Sequence, residues 1–153
     1  MLQPVASESR CGAAVLRRLV AWMVLIGSPV AANSPEASQR TYAQNYRDMV
    51  LAACIATAYN SNEDARIDSG SSVSALRDWT YYDLDRTPQA ITSLVKAYLD
   101  RDYHNPFAEA ETNGLNIRFN LLKCLDLYHS KDLDHLVKAM VIDPNRRIHS
   151  PSR

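Results

Sequence analysis

Apolar side chains recur every three to four positions in four stretches of the chain, the spacing of one face of an α-helix. The first stretch follows a polar lead over residues 33–40. Its apolar face comprises Tyr42, Tyr46, Met49, Val50, Ala53 and Cys54. The other three stretches run over residues 91–99, 119–128 and 133–141. With one further helix after the first, and no segment that alternates as a strand does, the pattern predicts an all-α bundle of about five helices in a single domain.

The second helix admits two interpretations. In one, Asn62 caps a helix whose first turn carries Glu63 and Asp64, because carboxylates favour the positive end of the helix dipole. Its face then runs through Ala65, Ser69, Ser72, Val73, Leu76 and Thr80. In the other interpretation, residues 69–72 form a loop and the helix starts at Ser72.

Boundary signals define the remaining helices. Thr87 followed by Pro88 predicts a helix start, with Thr87 as the capping side chain and Pro88 where no backbone N–H is needed. Ser130 is the corresponding cap of the last helix. The helical domain is expected over residues 41–146, and the tail over residues 147–153 is expected to be loose.

The first part of the chain has the order of a secretory signal peptide. Three arginines precede an apolar run over residues 19–26, and small residues follow it. Val30 and Ala32 suit the two positions that signal peptidase reads, which predicts removal of residues 1–32 and a periplasmic mature protein. The run is well short of the ~20 apolar residues of a membrane span, so a retained anchor is the less favoured alternative.

Composition excludes several classes of function. The 153 residues include 17 basic and 17 acidic side chains, so the chain lacks the basic surplus of a nucleic-acid-binding protein. Only four glycines are present, and neither glycine-rich phosphate-binding pattern occurs. Three cysteines and four histidines are too scattered for a zinc finger.

Two cysteines, Cys54 and Cys124, remain after removal of the leader. Each lies on an apolar helix face, and an oxidising compartment makes an even pair a candidate disulfide. The pair would join the first and fourth helices. The alternative is two buried thiols.

The sequence gives little support for a catalytic function. Cys124 could serve as a nucleophile and His129 as its base. They are five positions apart, however, so on a helix their side chains point in different directions. His104 lies in a predicted loop with no partner nucleophile, and Glu109 and Glu111 beside it do not form a recognisable metal-binding loop. We therefore expect no catalytic residue, no metal and no cofactor.

Two segments are suited to a protein partner. Trp79, Tyr81 and Tyr82 are close in sequence, and successive residues on a helix cannot all face the core, although a core Trp79 with one core tyrosine fits equally well. The second segment is a weakly patterned connection over residues 103–116, either a projecting loop or an ordinary surface connection. Its candidate contact residues are Tyr103, His104, Asn105, Pro106, Phe107, Glu109, Glu111 and Asn113.

Three stretches carry a resemblance to a known family. Residues 70–82 (GSSVSALRDWTYY), 102–106 (DYHNP) and 122–130 (LKCLDLYHS) resemble the immunity proteins paired with the fourth class of type VI secretion amidase effectors. The resemblance covers roughly residues 42–146. It implies a periplasmic, helical, dimeric inhibitor that binds a cysteine amidase and blocks its cleft with a loop. Such an inhibitor protects the cell from peptidoglycan hydrolysis by the toxin of a sister cell.

The residues alone leave two other classes open. One is a periplasmic cell-wall hydrolase, which loses its activity when a single polar residue is changed. The other is a small periplasmic holdase chaperone, which binds many unfolded clients. An inhibitor differs from both because it forms one stable stoichiometric complex. Nucleic acid, and a membrane after processing, are not expected as partners.

Overall fold

The computed structural model describes residues 35–103 and 117–148, most of them in α-helices. The helices within these ranges are α1 (Tyr42–Ala58), α2 (Glu63–Asp78), α3 (Thr87–Leu99), α4 (Asn120–Tyr128) and α5 (Lys131–Met140), preceded by a 3-10 helix at Glu36–Gln39. Outside the helices, Tyr82 and Val141 form an antiparallel bridge. The prediction of an all-α single domain with five helices is confirmed.

Helix α1 is the central element, because it packs against all four of the other α-helices. Its start is a capping box: the Gln44 backbone N–H donates to Thr41 Oγ1 at 3.2 Å, and the Thr41 N–H donates to Gln44 Oε1 at 2.9 Å. The predicted apolar face is buried, with Tyr46, Val50 and Cys54 at 0% exposure. Because the other four described helices pack against α1, this helix makes the main apolar contacts of the fold.

Helix α2 is continuous from Glu63 to Asp78, so the interpretation with a loop at residues 69–72 is wrong. Asn62 Oδ1 accepts from the Ala65 N–H at 2.9 Å, which confirms the predicted cap. The serines do not interrupt the helix, since the hydroxyls of Ser72 and Ser74 donate to carbonyls four residues earlier. The helix ends before Thr80, which was expected on its face.

Helix α3 begins at Thr87 as predicted, but the expectation that Thr87 is its capping side chain is wrong. Thr87 is 2% exposed, and its hydroxyl oxygen accepts from the Tyr46 hydroxyl at 3.4 Å. Asp83 supplies the turn instead, since its Oδ1 accepts from the backbone N–H groups of Asp85 and Arg86 at 3.1 and 3.0 Å. After the bridge at Tyr82, the turn over residues 83–86 leads into α3. Thr87 therefore faces the core.

Residues at the two ends of the described domain meet at the start of α1. The N–H groups of Tyr42 and Ala43 donate to the carbonyls of Arg146 and Pro144 at 2.8 and 3.0 Å. The first N–H groups of a helix have no partner within it, so these carbonyls satisfy two of them. In the lead, Ala37 is 7% exposed and its carbonyl accepts from Asn45 Nδ2 at 2.9 Å.

Cys54 and Cys124 are joined by a disulfide bond, with Cα atoms 5.7 Å apart. The bond links α1 to α4, as predicted, and the alternative of two free thiols is wrong. Both cysteines are fully buried. In the chain-entropy model, closing a loop with a sequence separation of 70 contributes roughly 4 kcal/mol to stability.

Three parts of the chain lie outside the described residues: 1–34, 104–116 and 149–153. The predicted signal peptide and most of the predicted contact loop fall within them. Among the described helices, none has the length and apolar character needed to cross a bilayer.

Candidate functional site

The aromatic segment after α2 is only partly at the surface. Helix α2 ends at Asp78, so Trp79, Tyr81 and Tyr82 do not follow one another on a helix as the sequence argument assumed. Tyr82 is 7% exposed, and its ring packs edge-on against Tyr46 with centroids 5.5 Å apart. Burial raises the pKa of the Tyr82 hydroxyl. Trp79 is half-buried, so only Tyr81, at 60% exposure, presents most of its side chain to solvent.

Tyr81 belongs to an exposed apolar cluster formed by two chain segments. The Ile142 N–H donates to the Tyr81 carbonyl at 3.0 Å, directly beside the bridge between Tyr82 and Val141. Side chains opposite each other in an antiparallel pair share one face, so Tyr81 and Ile142 are neighbours. Leu84, in the same connection, is 66% exposed and Ile142 is 43% exposed. We call Tyr81 and Ile142 the Tyr81 patch.

A second apolar surface lies where the end of α1 meets the start of α4. It is a shallow depression of about 490 Å³, lined by Tyr59, Ile117, Arg118, Phe119, Asn120, Leu121, Leu122 and Leu125. Leu121, Leu122 and Leu125 are 48%, 45% and 39% exposed. Exposed apolar surface of this kind is typical of protein interaction sites. We call it the α4 depression.

The backbone at the rim of the α4 depression is held in an unusual conformation. Phe119, the residue before α4, has φ of 50° and lies in the left-handed region, which costs a non-glycine residue about 1–2 kcal/mol. Asn120 offsets part of this cost, since its Nδ2 donates to the Ala58 carbonyl at the end of α1 at 3.2 Å. The contact fixes the start of α4 against α1, which shapes the depression.

Of the predicted contact loop, the structure describes Tyr103; His104, Asn105, Pro106, Phe107, Glu109, Glu111 and Asn113 lie outside the described residues. The Tyr103 hydroxyl donates to Asp126 Oδ2 on α4. This hydrogen bond to a carboxylate is the largest cause of the raised pKa of Tyr103, because it stabilises the protonated phenol. Ile117 is the first residue after residues 104–116 in the sequence, and it lies three residues before α4 begins.

Lys123 lies beneath the same tyrosine and is a residue that the sequence argument missed. It is 6% exposed, and its Nζ donates to the Leu99 carbonyl at the end of α3 at 3.0 Å. The same Nζ is 5.6 Å from the centroid of the Tyr103 ring. Nothing in the sequence spacing indicated that this lysine is buried.

Cys124 and His129, the pair considered for nucleophilic catalysis, have structural roles. Cys124 is bonded to Cys54 and is not available as a nucleophile. His129 packs its ring edge-on against Tyr128 at 5.2 Å. Among residues 35–103 and 117–148, no three His, Cys, Asp or Glu side chains converge in a group that could hold a metal ion.

The family comparison favours the immunity class among those left open. Residues 44–137 match the model of the Tai4 family, described as type VI secretion system (T6SS) amidase immunity proteins. The chain belongs to the Tai4 family. The resemblance seen in the three sequence stretches is thereby confirmed, and the matched residues include both disulfide cysteines, Tyr103, Lys123 and the whole of the α4 depression.

Solved structures share the fold of this chain. One, from a study of new type VI-secreted toxins and self-resistance proteins in Serratia marcescens, is 24% identical, with a TM-score of 0.65 over 79% of this chain and 94% of that chain. Another, from the Tae4/Tai4 effector–immunity system of Salmonella typhimurium, is 19% identical, with a TM-score of 0.58 over 77% of this chain and 100% of that chain. At these identities the likeness shows the fold. No curated protein sequence matches this chain significantly.

Proposed function

We propose that this Tai4 protein binds and inhibits a T6SS peptidoglycan amidase, and so protects the cell that makes it. The observation that carries the proposal is the family match over residues 44–137. The fold shared with a protein of an effector–immunity system from Salmonella typhimurium supports it. The two exposed apolar surfaces fit a protein that works by binding another protein.

We place the working protein in the periplasm, after cleavage behind Ala32. The charge and hydropathy order of residues 1–32 is the basis of this part of the proposal. The buried disulfide between Cys54 and Cys124 supports it, because such bonds persist in oxidising compartments.

Inhibition, in this proposal, works by insertion of residues 103–116 into the amidase cleft. A catalytic cleft is concave, so an inhibitor needs a projecting element to fill it. Glu109 and Glu111 match the acidic character of a peptidoglycan stem peptide, which the amidase already recognises. Tyr81 remains a candidate for supporting contacts, whereas the burial of Tyr82 removes it from the contact set.

We also propose that the protein is a homodimer, which rests mainly on the family resemblance. Light scattering at micromolar concentration should report about twice the mature mass. A monomer would overturn the dimer and leave the inhibitor assignment intact.

An inhibition assay tests the proposal. The purified mature protein should abolish peptidoglycan hydrolysis by its cognate amidase at a stoichiometric ratio. Replacing residues 107–113 by a Gly-Ser bridge should preserve the helical fold and its melting, because residues 35–103 and 117–148 already contain five helices and a shared buried core, while inhibition falls sharply. If the bridged variant folds and inhibits at an unchanged concentration, the contact lies outside the segment. If the intact protein neither binds nor inhibits the amidase, the proposed function fails.

A further inference from the structure

We propose that Lys123 and Asp126 of α4 are positioning residues for inhibition, and that they act by holding Tyr103. The inference rests on the proposed function, since Tyr103 is the first residue of the segment proposed to enter the cleft. The sequence predicts Tyr103 as a direct partner contact. Its hydroxyl is engaged within the chain instead, which assigns it to anchoring the segment.

Tyr103 is held from two directions by one helix. Its hydroxyl donates to Asp126 Oδ2 at 2.5 Å, and Lys123 Nζ faces its ring at 5.6 Å from the centroid. Lys123 and Asp126 are three positions apart on α4, so they lie on the same side of the helix. A carboxylate is a strong acceptor for a phenol, and an ammonium is attracted to the face of an aromatic ring. Together the two contacts restrict both the position and the tilt of the ring.

The burial of Lys123 is not explained by packing alone. Desolvating an ammonium is costly, and a methionine fills a similar volume without that cost. The compensation comes from the Leu99 carbonyl, which lies in the last turn of α3 where carbonyls carry partial negative charge. Lys123 therefore connects the end of α3 to the Tyr103 ring, which lies only four residues further along the chain.

Helix α4 is a firm support for this contact. Cys124, next to Lys123, is bonded to Cys54 on the central helix. The Tyr128 hydroxyl at the other end of α4 donates to Asp48 Oδ1 on α1 at 3.1 Å. Tyr103 contacts α4 and Ile117 lies three residues before it in the chain, so the described residues on both sides of residues 104–116 are tied to this one helix.

Fixing both ends of a binding segment lowers the conformational entropy that is lost when it binds. The benefit appears in affinity and not in the stability of the helical core. This separates a positioning role from a merely structural one, because a structural role changes the melting temperature and a positioning role changes the inhibitory concentration.

The test compares Tyr103→Phe with Tyr98→Phe as a matched control. Each variant deletes one hydroxyl that donates to an aspartate, since the Tyr98 hydroxyl donates to Asp132 Oδ2 on α5 at 3.0 Å, and each keeps its ring and Arg101, which contacts both tyrosines. Tyr103→Phe should raise the concentration needed for half-inhibition of the amidase by about threefold to tenfold, the range of a single hydrogen bond, with an unchanged melting temperature. Tyr98→Phe should leave that concentration unchanged.

A double-mutant cycle tests whether Asp126 acts through Tyr103. If it does, Asp126→Asn and Tyr103→Phe should each weaken inhibition, and the double variant should lose no more than either single one. Asp126→Glu keeps an acceptor and should restore part of the loss. Losses that multiply in the double variant would mean that the side chains touch the amidase independently, which would overturn the inference.

Lys123→Met tests the ammonium separately. It should keep the helical circular dichroism spectrum and weaken inhibition to the same extent as Tyr103→Phe. If Tyr103→Phe inhibits like the parent, or Tyr98→Phe weakens inhibition equally, the positioning role is wrong. The bridged variant of residues 107–113 separates this failure from failure of the proposed contact: if bridging abolishes inhibition while Tyr103→Phe does not, only the positioning inference fails.

Discussion

The Tyr128 hydroxyl on α4 and the Asp48 carboxylate on α1 are hydrogen-bonded at 3.1 Å, although 80 positions separate them in sequence. The other oxygen of Asp48 accepts from Arg40 at 2.7 Å. Arg47 completes the network, since it donates to the Tyr128 carbonyl and pairs with Asp134 on α5. One turn of α1 thus gathers charged contacts from α4, from α5 and from the residue before the capping box.

Asp48→Asn should destabilise the fold by about 1 kcal/mol, because the amide loses the charge that strengthens both hydrogen bonds. In a domain of this size the melting temperature should fall by roughly 3–5 °C. Asp100→Asn is the control, since Asp100 pairs with Lys96 in an exposed pair on α3 and should have almost no effect. Equal shifts for the two variants would contradict a special role for Asp48.

Loss of the disulfide should have a larger effect. Replacing Cys54 and Cys124 by alanine should lower the free energy of unfolding by about 2–4 kcal/mol, because the unfolded chain regains its freedom and the core loses two buried sulfurs. Adding dithiothreitol during unfolding should destabilise the parent and leave the double variant unchanged. In the oxidised parent, intact mass after alkylation without reductant should show no modified Cys54 or Cys124, and two alkylated thiols would contradict the bond.

Alkaline pH should destabilise the protein. Burial raises the pKa of Tyr46, Tyr82 and Tyr128 above the ordinary value of 10.0. A pKa raised by folding means that stability is full below the unfolded pKa and is lost as pH rises through the folded pKa. Phenolate absorbance and circular dichroism, followed together above pH 10, should show these tyrosines ionising as the helices melt. Complete ionisation before any loss of helix would contradict this.

The two sides of α4 should respond differently to mutation. Leu127→Ala should cost about 2–5 kcal/mol, because Leu127 is fully buried and its removal leaves a cavity. Leu122→Gln, on the side that is 45% exposed, should change the free energy of unfolding by about 0.5 kcal/mol or less. Urea denaturation of both variants measures the difference, and similar losses would mean that α4 is rotated from the orientation described.

Export should produce a mature protein with a defined N-terminus. N-terminal sequencing of the mature protein should begin at Asn33, because Val30 and Ala32 fit the signal-peptidase positions. Replacing Ala32 by a bulky residue should slow processing, while the same change at Ala31 should not. A mature protein that begins at Met1 and remains in the membrane fraction would contradict the cleavage.

Helix positions and local caps were predictable because their signals are local. Asn62 and Ser130 cap their helices through contacts three residues away, and the stripe from Tyr42 to Cys54 faces the core. Thr87 shows the limit of this reasoning. It has the right residue type at the right place for a cap, but the tertiary contact with Tyr46 takes its hydroxyl.

The contacts of the candidate site were less predictable because they depend on tertiary structure. Sequence spacing does not reveal that Lys123 is buried against the end of α3, or that Tyr103 meets Asp126 across 23 positions. The sequence of α4 is consistent with the α4 depression, since apolar residues occupy more of that helix than one buried face needs. The spacing does not show that Leu121, Leu122 and Leu125 are the leucines that lie at the surface.

The hydrogen bonds from Tyr42 and Ala43 to the carbonyls of Arg146 and Pro144 bear on the order in which this chain acquires its structure. The first turn of the central helix is completed by residues made about a hundred positions later. During synthesis, those two donors must remain bonded to water until residues 144–146 have emerged. Removing residues 144–146 should therefore fray α1 at its beginning, far from the cut in sequence and beside it in space.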